Sequence, residues 1–335
     1  MRIELLPINE QVVVITGASS GIGLVTAKQV ARRGASVVLA GRNGDELARA
    51  VEEIRHDGGR AVHITADVTD PQQIETIGEA ALRAFGRVDT WVNNAAVSMY
   101  GRITELDVED MRRQMDTNFW GQVYGARTAV KHLRHRGGSI INVGSALSDR
   151  AIPLQGIYCA ARHALKAFTD TLRMELEDEG APISVTLLKP ASIDTPFFGK
   201  AKTYLGVEPQ PVYAPEVVAG VIIHAAQHPV RELIAGGAGT RLSAARFEPR
   251  LADKYVTAVR RDNLYVPVAT DGGERGETWK GRNGGSSVST KAMLRPAAAA
   301  GIAAATVALA GAAWRFYGVR RRPAAKPSEL EFGLS

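Results

Sequence analysis

From Gln11 to about Gly237, short runs of β-branched residues alternate with longer stretches in which apolar side chains recur at helical spacing. This is the pattern of successive βαβ units around a parallel sheet. Strands are predicted at 12–16, 36–40, 61–66, 88–92, 139–143, 184–188 and 232–235. Most are continuous apolar runs, so helices should cover both faces of the sheet. The expected fold class is α/β: a doubly wound parallel seven-stranded sheet with a C-terminal extension.

Past Gly239 the pattern changes. Residues 247–261 have the spacing of a short amphipathic helix, and 271–290, rich in Gly and Ser, read as a linker. Residues 296–314 carry no charge and are bounded by Arg295 and Arg315, close to the roughly 20 apolar residues of a membrane-spanning helix. The chain thus divides into a sheet domain (1–240), an amphipathic helix with linker (241–290), and an Ala-rich apolar segment with a basic tail (291–335). Eleven of the 18 residues from 297 to 314 are Ala and two are Gly, which makes insertion marginal. Trp314, Phe316 and Tyr317, followed by Arg320, Arg321 and Arg322, favour a membrane anchor or surface helix. A soluble packing helix and a nucleic-acid arm are the alternatives.

Charge sharpens this division. The formal net charge of +6 splits into −2 for residues 1–240 and +8 for residues 241–335, so the basic character belongs to the extension and suits an anionic surface. No nucleic-acid partner is expected. At 335 residues and 45% apolar the chain can bury a sizeable core, which excludes wholesale disorder and collagen-like repeats. Cys159 is the single cysteine; it rules out an internal disulfide and a thiolate zinc cluster, and it fits a reducing compartment. The first ten residues do not read as a signal peptide, so a cytoplasmic location is expected, with membrane association through residues 296–314.

The strongest local motif is Thr16-Gly17-Ala18-Ser19-Ser20-Gly21-Ile22-Gly23, between the first predicted strand and the first helix. Glycines there permit a tight turn and bring backbone N–H groups to a pyrophosphate at a helix N-terminus. With this motif the sequence resembles the short-chain dehydrogenase/reductase family over about residues 10–240, a family built on this Rossmann sheet. The resemblance recurs in order. Asp67-Val68 stands where the family contacts the adenine, and Asn93-Asn94-Ala95-Ala96 where it has NNAG. Asn118 has the position of the catalytic asparagine, and Ser145 precedes Tyr158 by thirteen residues. Pro190-Ala191-Ser192-Ile193-Asp194-Thr195 stands where the family holds the nicotinamide carboxamide. Ala96 and Ala191 replace family glycines.

The resemblance implies that Ser145 hydrogen-bonds the substrate oxygen, Tyr158 passes it a proton, Asn118 organises an internal water chain, and the cofactor moves a hydride. A free tyrosine titrates near about 10, so its phenolate needs a cationic neighbour near neutral pH. Where the family has lysine, one helical turn on, this chain has Arg162. Arginine keeps the charge and adds donors but cannot join a relay by losing a proton. The readings are therefore an oxidoreductase with Arg162 as the replacement cation, or a catalytically silent nucleotide-binding protein. After the second predicted strand Arg42 stands where an acidic residue would select NAD, so NADP(H) is expected over NAD(H).

Leu147 and Leu154, with Phe197 and Phe198 in an aromatic segment at 196–214, suggest a lipophilic carbonyl or alcohol substrate. The same aromatics can instead serve only to pack against the sheet. The resemblance also implies a homo-oligomer paired through the helices carrying Asn118 and Tyr158. No metal is expected: His132 with His135, and His224 with His228, lack a third ligand in any motif. Lys131, Arg134 and Arg136 read as favourable charges at a helix C-terminus, and Cys159 as a small helix residue pointing away from Tyr158.

Overall fold

The computed structural model describes residues 3–199, 202–203 and 213–236. The segments at 247–261, 271–290 and 296–314 lie outside the described residues. Among the described residues no helix is long and apolar enough to cross a membrane.

The sheet contains all seven predicted strands, each parallel to its neighbours: β1 (Val12–Thr16), β2 (Ser36–Gly41), β3 (Arg60–Thr65), β4 (Thr90–Asn93), β6 (Gly138–Val143), β7 (Ile183–Pro190) and β9 (Glu232–Ala235), in the order β3-β2-β1-β4-β6-β7-β9. Two short strands not foreseen, β5 (Met99–Tyr100) and β8 (Lys202–Thr203), pair in parallel outside it. Strands β1, β2, β4, β6 and β7 are buried along their whole length, as continuous apolar runs require, whereas the edge strands β3 and β9 alternate in exposure.

Helices α1 (Gly21–Arg32), α2 (Gly44–His56), α3 (Pro71–Phe85), α4 (Val108–Met115), α5 (Gly121–Leu133), α6 (Gly156–Asp178), α7 (Pro196–Gly199) and α8 (Pro215–Ala225) connect the strands. On one face Val12, Val14, Val38, Trp91, Ile140 and Val185 meet Ile74 and Ile77 of α3, Ala126 and Ala129 of α5, and Leu176 of α6. Helices α1 and α8 pack together, and α8 is apolar nearly all round because almost every side of it is covered. Capping residues fix several entries: Asn43 for α2, Asp70 for α3 and Asp107 for α4 each accept from first-turn amides.

The direction of strand addition reverses between β1 and β4. In open α/β sheets the crevice beyond the strand C-termini at such a point is where ligands bind. The turns that leave β1, β4 and β6 meet there.

Candidate active site

The turn after β1 is held in place by β4. Thr16 Oγ1 accepts from the amides of Asn94 at 3.0 Å and Ala95 at 3.2 Å. Asn94 Nδ2 donates in return to the carbonyls of Thr16 at 2.9 Å and Gly17 at 3.2 Å. Gly17 and Gly21 have φ of +65° and +55°, the left-handed region that glycine adopts without strain. Gly23 is required for another reason: a Cβ there would stand 2.3 Å from the Gly17 carbonyl oxygen. Ser20 opens α1 without a side-chain cap, and with the half-buried Ser19 and Ile22 it leaves first-turn amides for an anion. A cradle that side chains would fill, at a helix start, fits a dinucleotide pyrophosphate.

Of the other predicted cofactor positions, Thr195 meets this loop. A Cβ on Gly21 would lie 3.2 Å from Thr195 Cβ, so the segment after β7 closes over the start of α1. Thr195 and Ile193 are buried, and Pro190 ends β7. Val68 is buried against Gly121. Asp67 accepts through Oδ1 from the Thr69 amide at 2.9 Å and its hydroxyl at 2.8 Å. Arg42, just beyond β2, is exposed.

Asn118 stands inside a π-helical turn, Asp116–Trp120, between α4 and α5. The π turn divides α4 from α5, which otherwise follow one another without a break. Asn118 is fully buried; its Oδ1 accepts from the Val97 amide at 2.9 Å and its Nδ2 donates to the Val97 carbonyl at 2.8 Å. Both side-chain functions thus pin the segment that follows Asn94-Ala95, while the π turn offsets the local carbonyls from the regular ladder.

Ser145 follows β6 and caps the short 3-10 turn Ala146–Ser148. Its Oγ accepts from the Leu147 amide at 3.1 Å, and its own amide donates to Ser148 Oγ at 3.2 Å. Tyr158 lies in the first turn of α6 and is buried. Arg162, on the same face one turn later, is only 2% exposed. Its guanidinium carbon lies 4.8 Å from the Tyr158 ring centre, and its Nη1 donates to the Val143 carbonyl at 3.2 Å. No carboxylate among the described residues pairs with it.

Leu147 and Phe197 converge on Tyr158 in one buried apolar cluster with Ile152; the Phe197 and Tyr158 rings meet edge-on with centroids 6.3 Å apart. Leu154 is half-buried, outside that cluster, at φ +67°, and its carbonyl accepts from the Gly101 amide at 3.0 Å. The side chain of Phe198 lies outside the described residues. Cys159 is buried and belongs to the same cluster as Tyr158 and Leu147.

Behind the site lies a charge cluster that the sequence reading missed. Lys189 Nζ donates to Asp149 Oδ2 at 2.7 Å and to Glu232 Oε2 at 2.6 Å. Lys166 pairs with Glu232 and lies 3.4 Å from Asp149. Burial opposes ionisation of both Lys166 and Glu232, yet their mutual bond and the neighbouring charges prevail, raising the lysine above its ordinary value and lowering the glutamate below its own. The four side chains come from a loop, α6, β7 and β9, so no local motif announces them.

Two of the helix-end cations have partners. Lys131 binds Glu75 at 2.5 Å and Arg134 binds Glu179 at 2.8 Å, so they join helices in addition to facing a helix end. His224 and His228 stack at 4.4 Å. Among the described residues no group of three His, Cys, Asp or Glu side chains is arranged to hold a metal.

Comparison with known proteins agrees with this geometry. The short chain dehydrogenase family model matches residues 11–204. An uncharacterized oxidoreductase, YxnA, of Bacillus subtilis (strain 168) is 42% identical over 332 residues, covering 93% of each chain. An 11-beta-hydroxysteroid dehydrogenase A of Arachis hypogaea is 38% identical over 187 residues, 55% of this chain and 53% of that one. Among solved structures, an alcohol dehydrogenase of the archaeon Thermococcus sibiricus, complexed with 5-hydroxy-NADP, is similar at TM-score 0.61 and 27% identity, covering 67% of this chain and 95% of that one. A dehydrogenase/reductase of Sinorhizobium meliloti 1021 is similar at TM-score 0.61 and 30% identity, over 69% and 95%. With the glycine cradle, the topology and these relatives in agreement, the chain belongs to the short-chain dehydrogenase family and is an NAD(P)-dependent oxidoreductase.

Proposed function

We propose that the protein interconverts a lipophilic ketone or aldehyde and its alcohol, with NADP(H) as the preferred dinucleotide. The observation that carries this reading is the Tyr158–Arg162 pair, 4.8 Å apart and set in the apolar cluster of Leu147, Ile152 and Phe197. A buried phenol with a fixed positive charge over its ring, walled by hydrocarbon, suits proton transfer to an apolar carbonyl and excludes competing water.

In this reading the loop Thr16–Gly23, with Asn94, Ala95 and Thr195, holds the dinucleotide, and the bound nicotinamide supplies or accepts the hydride. Tyr158 Oη gives the proton to the carbonyl oxygen in reduction and takes it back in oxidation. Ser145, its backbone fixed by Ser148, donates to the same oxygen. Arg162 places positive charge over the phenol ring and offers donors to ribose hydroxyls. Asn118 holds Val97, and with it the wall of the cofactor cleft. Arg42, exposed beyond β2, offers a bidentate contact to a 2′-phosphate. Pairing of two copies through the helices carrying Asn118 and Tyr158 belongs to the same reading; Trp120 and Met174, 45% and 55% exposed, lie on them.

The test follows NADPH absorbance in the full chain with a panel of apolar ketones and aldehydes, with NADH as the control and Arg162→Lys in parallel. Turnover by the native chain, faster with NADPH, is expected. Turnover by the lysine variant alone overturns the catalytic reading in favour of a silent nucleotide-binding protein.

A further inference from the structure

We infer that Gln122 is a positioning residue for Arg162, the device by which this site holds a guanidinium steady without a carboxylate. The inference rests on the reading that Arg162 works beside Tyr158. Gln122 lies in α5 one turn after Asn118 and is 2% exposed. Its Nε2 donates to the Val143 carbonyl at 3.1 Å. That oxygen, at the end of β6 and two residues before Ser145, is the one that accepts from Arg162 Nη1 at 3.2 Å. A carbonyl has two lone pairs, and here one goes to each side chain.

The atoms left over are complementary. Gln122 Oε1 and Arg162 Nε are both buried and both without a partner, one an acceptor and the other a donor. Unsatisfied buried polar groups are costly and uncommon in native proteins. Two of opposite kind, on side chains anchored to one oxygen, are a matched acceptor and donor. Gln122 therefore fixes the direction of the Arg162 fork, which a lysine would not need: an ammonium is a compact charge with rotatable donors, whereas a planar fork displaced by one rotamer aims all its donors wrongly.

Four forms of the full chain test this: native, Gln122→Met, Arg162→Lys and the double variant. Methionine keeps the volume and removes both polar atoms. Readouts are the NADPH dissociation constant by fluorescence, kcat and KM where turnover is found, and thermal midpoint. Gln122→Met in the Arg162 background is expected to weaken NADPH binding or lower kcat by about tenfold, and to change the Arg162→Lys background less than about twofold, the signature of coupled neighbours. Equal losses in both backgrounds, tracking the thermal midpoint, mark a purely structural role and overturn the inference. No loss in either background overturns it too. If the native chain neither binds NADPH nor turns over, the functional reading fails and the inference falls with it; a working native chain with a flat cycle sinks the inference alone.

Discussion

The Arg162 guanidinium lies over the face of the Tyr158 ring, 4.8 Å from its centre, so the two side chains are held as a stacked pair as well as by their shared helix. This contact survives loss of the hydroxyl, which allows chemistry to be separated from packing. Tyr158→Phe keeps the ring, the stacking and the edge contact with Phe197, and is expected to lower kcat by about 10²–10⁴, the usual scale of one positioned proton-transfer group. Its NADPH dissociation constant should stay within about twofold of native. A variant that retained full turnover would remove Tyr158 from the reaction.

The phosphate loop makes a sharper structural demand. At Gly23 a Cβ would stand 2.3 Å from the Gly17 carbonyl and 2.8 Å from Asn94 Nδ2, and backbone cannot retreat from it. Gly23→Ala is expected to abolish measurable dinucleotide binding and to destabilise the chain by about 1–3 kcal/mol. Gly58→Ala is the control. That glycine has φ +82° with open space around it, so the substitution should cost about 1 kcal/mol through backbone strain and leave binding unchanged. Calorimetric titration and urea melts on both variants separate the effects.

How much of this was legible in the sequence depends on how local each signal is. The seven strands and the glycine turn are set by neighbours in the chain, and the sheet was read to within a few residues at each end. Asn118 was placed by resemblance, but its π turn was not visible, because a helix-compatible sequence does not show which backbone bond has slipped. For Cys159 helical spacing gives a direction, but not the buried cluster that the residue joins. The Asp149, Lys166, Lys189 and Glu232 cluster was invisible, since only the register of β7 with β9 and the turn after β6 bring the four together.

That cluster carries its own prediction. Lys189 is 3% exposed and touches both carboxylates, and removing one partner of a buried ion pair leaves an uncompensated charge. Lys189→Met is expected to destabilise the chain by about 3–5 kcal/mol in urea unfolding. Because Asp149 sits in the loop between Ser145 and Tyr158, turnover should fall with stability. Asp149→Asn, which keeps the shape, should lose less.

A pH dependence follows from His132, whose ring packs against the Gly78 backbone of α3 and whose Nε2 has no partner. Burial holds its pKa below the ordinary 6.5, with Lys131 adding to the shift and Glu75 and Glu79 opposing it. As pH falls, the unfolded chain takes up this proton before the folded one does. The stability concerned is complete above 6.5 and is lost as pH falls from there through the lower folded value. His132→Gln should flatten the decline of the thermal midpoint across that window. An unchanged slope would assign the acid sensitivity to other groups.

The proposed preference for NADP(H) rests on Arg42, an exposed arginine directly beyond β2, the strand that flanks β1 and the phosphate loop. A 2′-phosphate there gains a charge-assisted contact worth about 1.5–3 kcal/mol, equivalent to roughly ten- to a hundredfold in affinity. Arg42→Ala is therefore expected to weaken NADPH by that factor and to leave NADH within about twofold. Arg42→Asp should go further and reverse the order, since a carboxylate accepts from the ribose hydroxyl and repels the phosphate. Exposure also makes the native contact sensitive to screening, so the native preference for NADPH should narrow as salt is raised, and the Arg42→Ala affinities should depend on salt less steeply. Competitive binding of the two dinucleotides at two ionic strengths checks all three statements. Equal NADPH affinity in the native chain and the alanine variant would show that the guanidinium is simply solvated, and would move the origin of any preference to the Ser19–Ser20 turn.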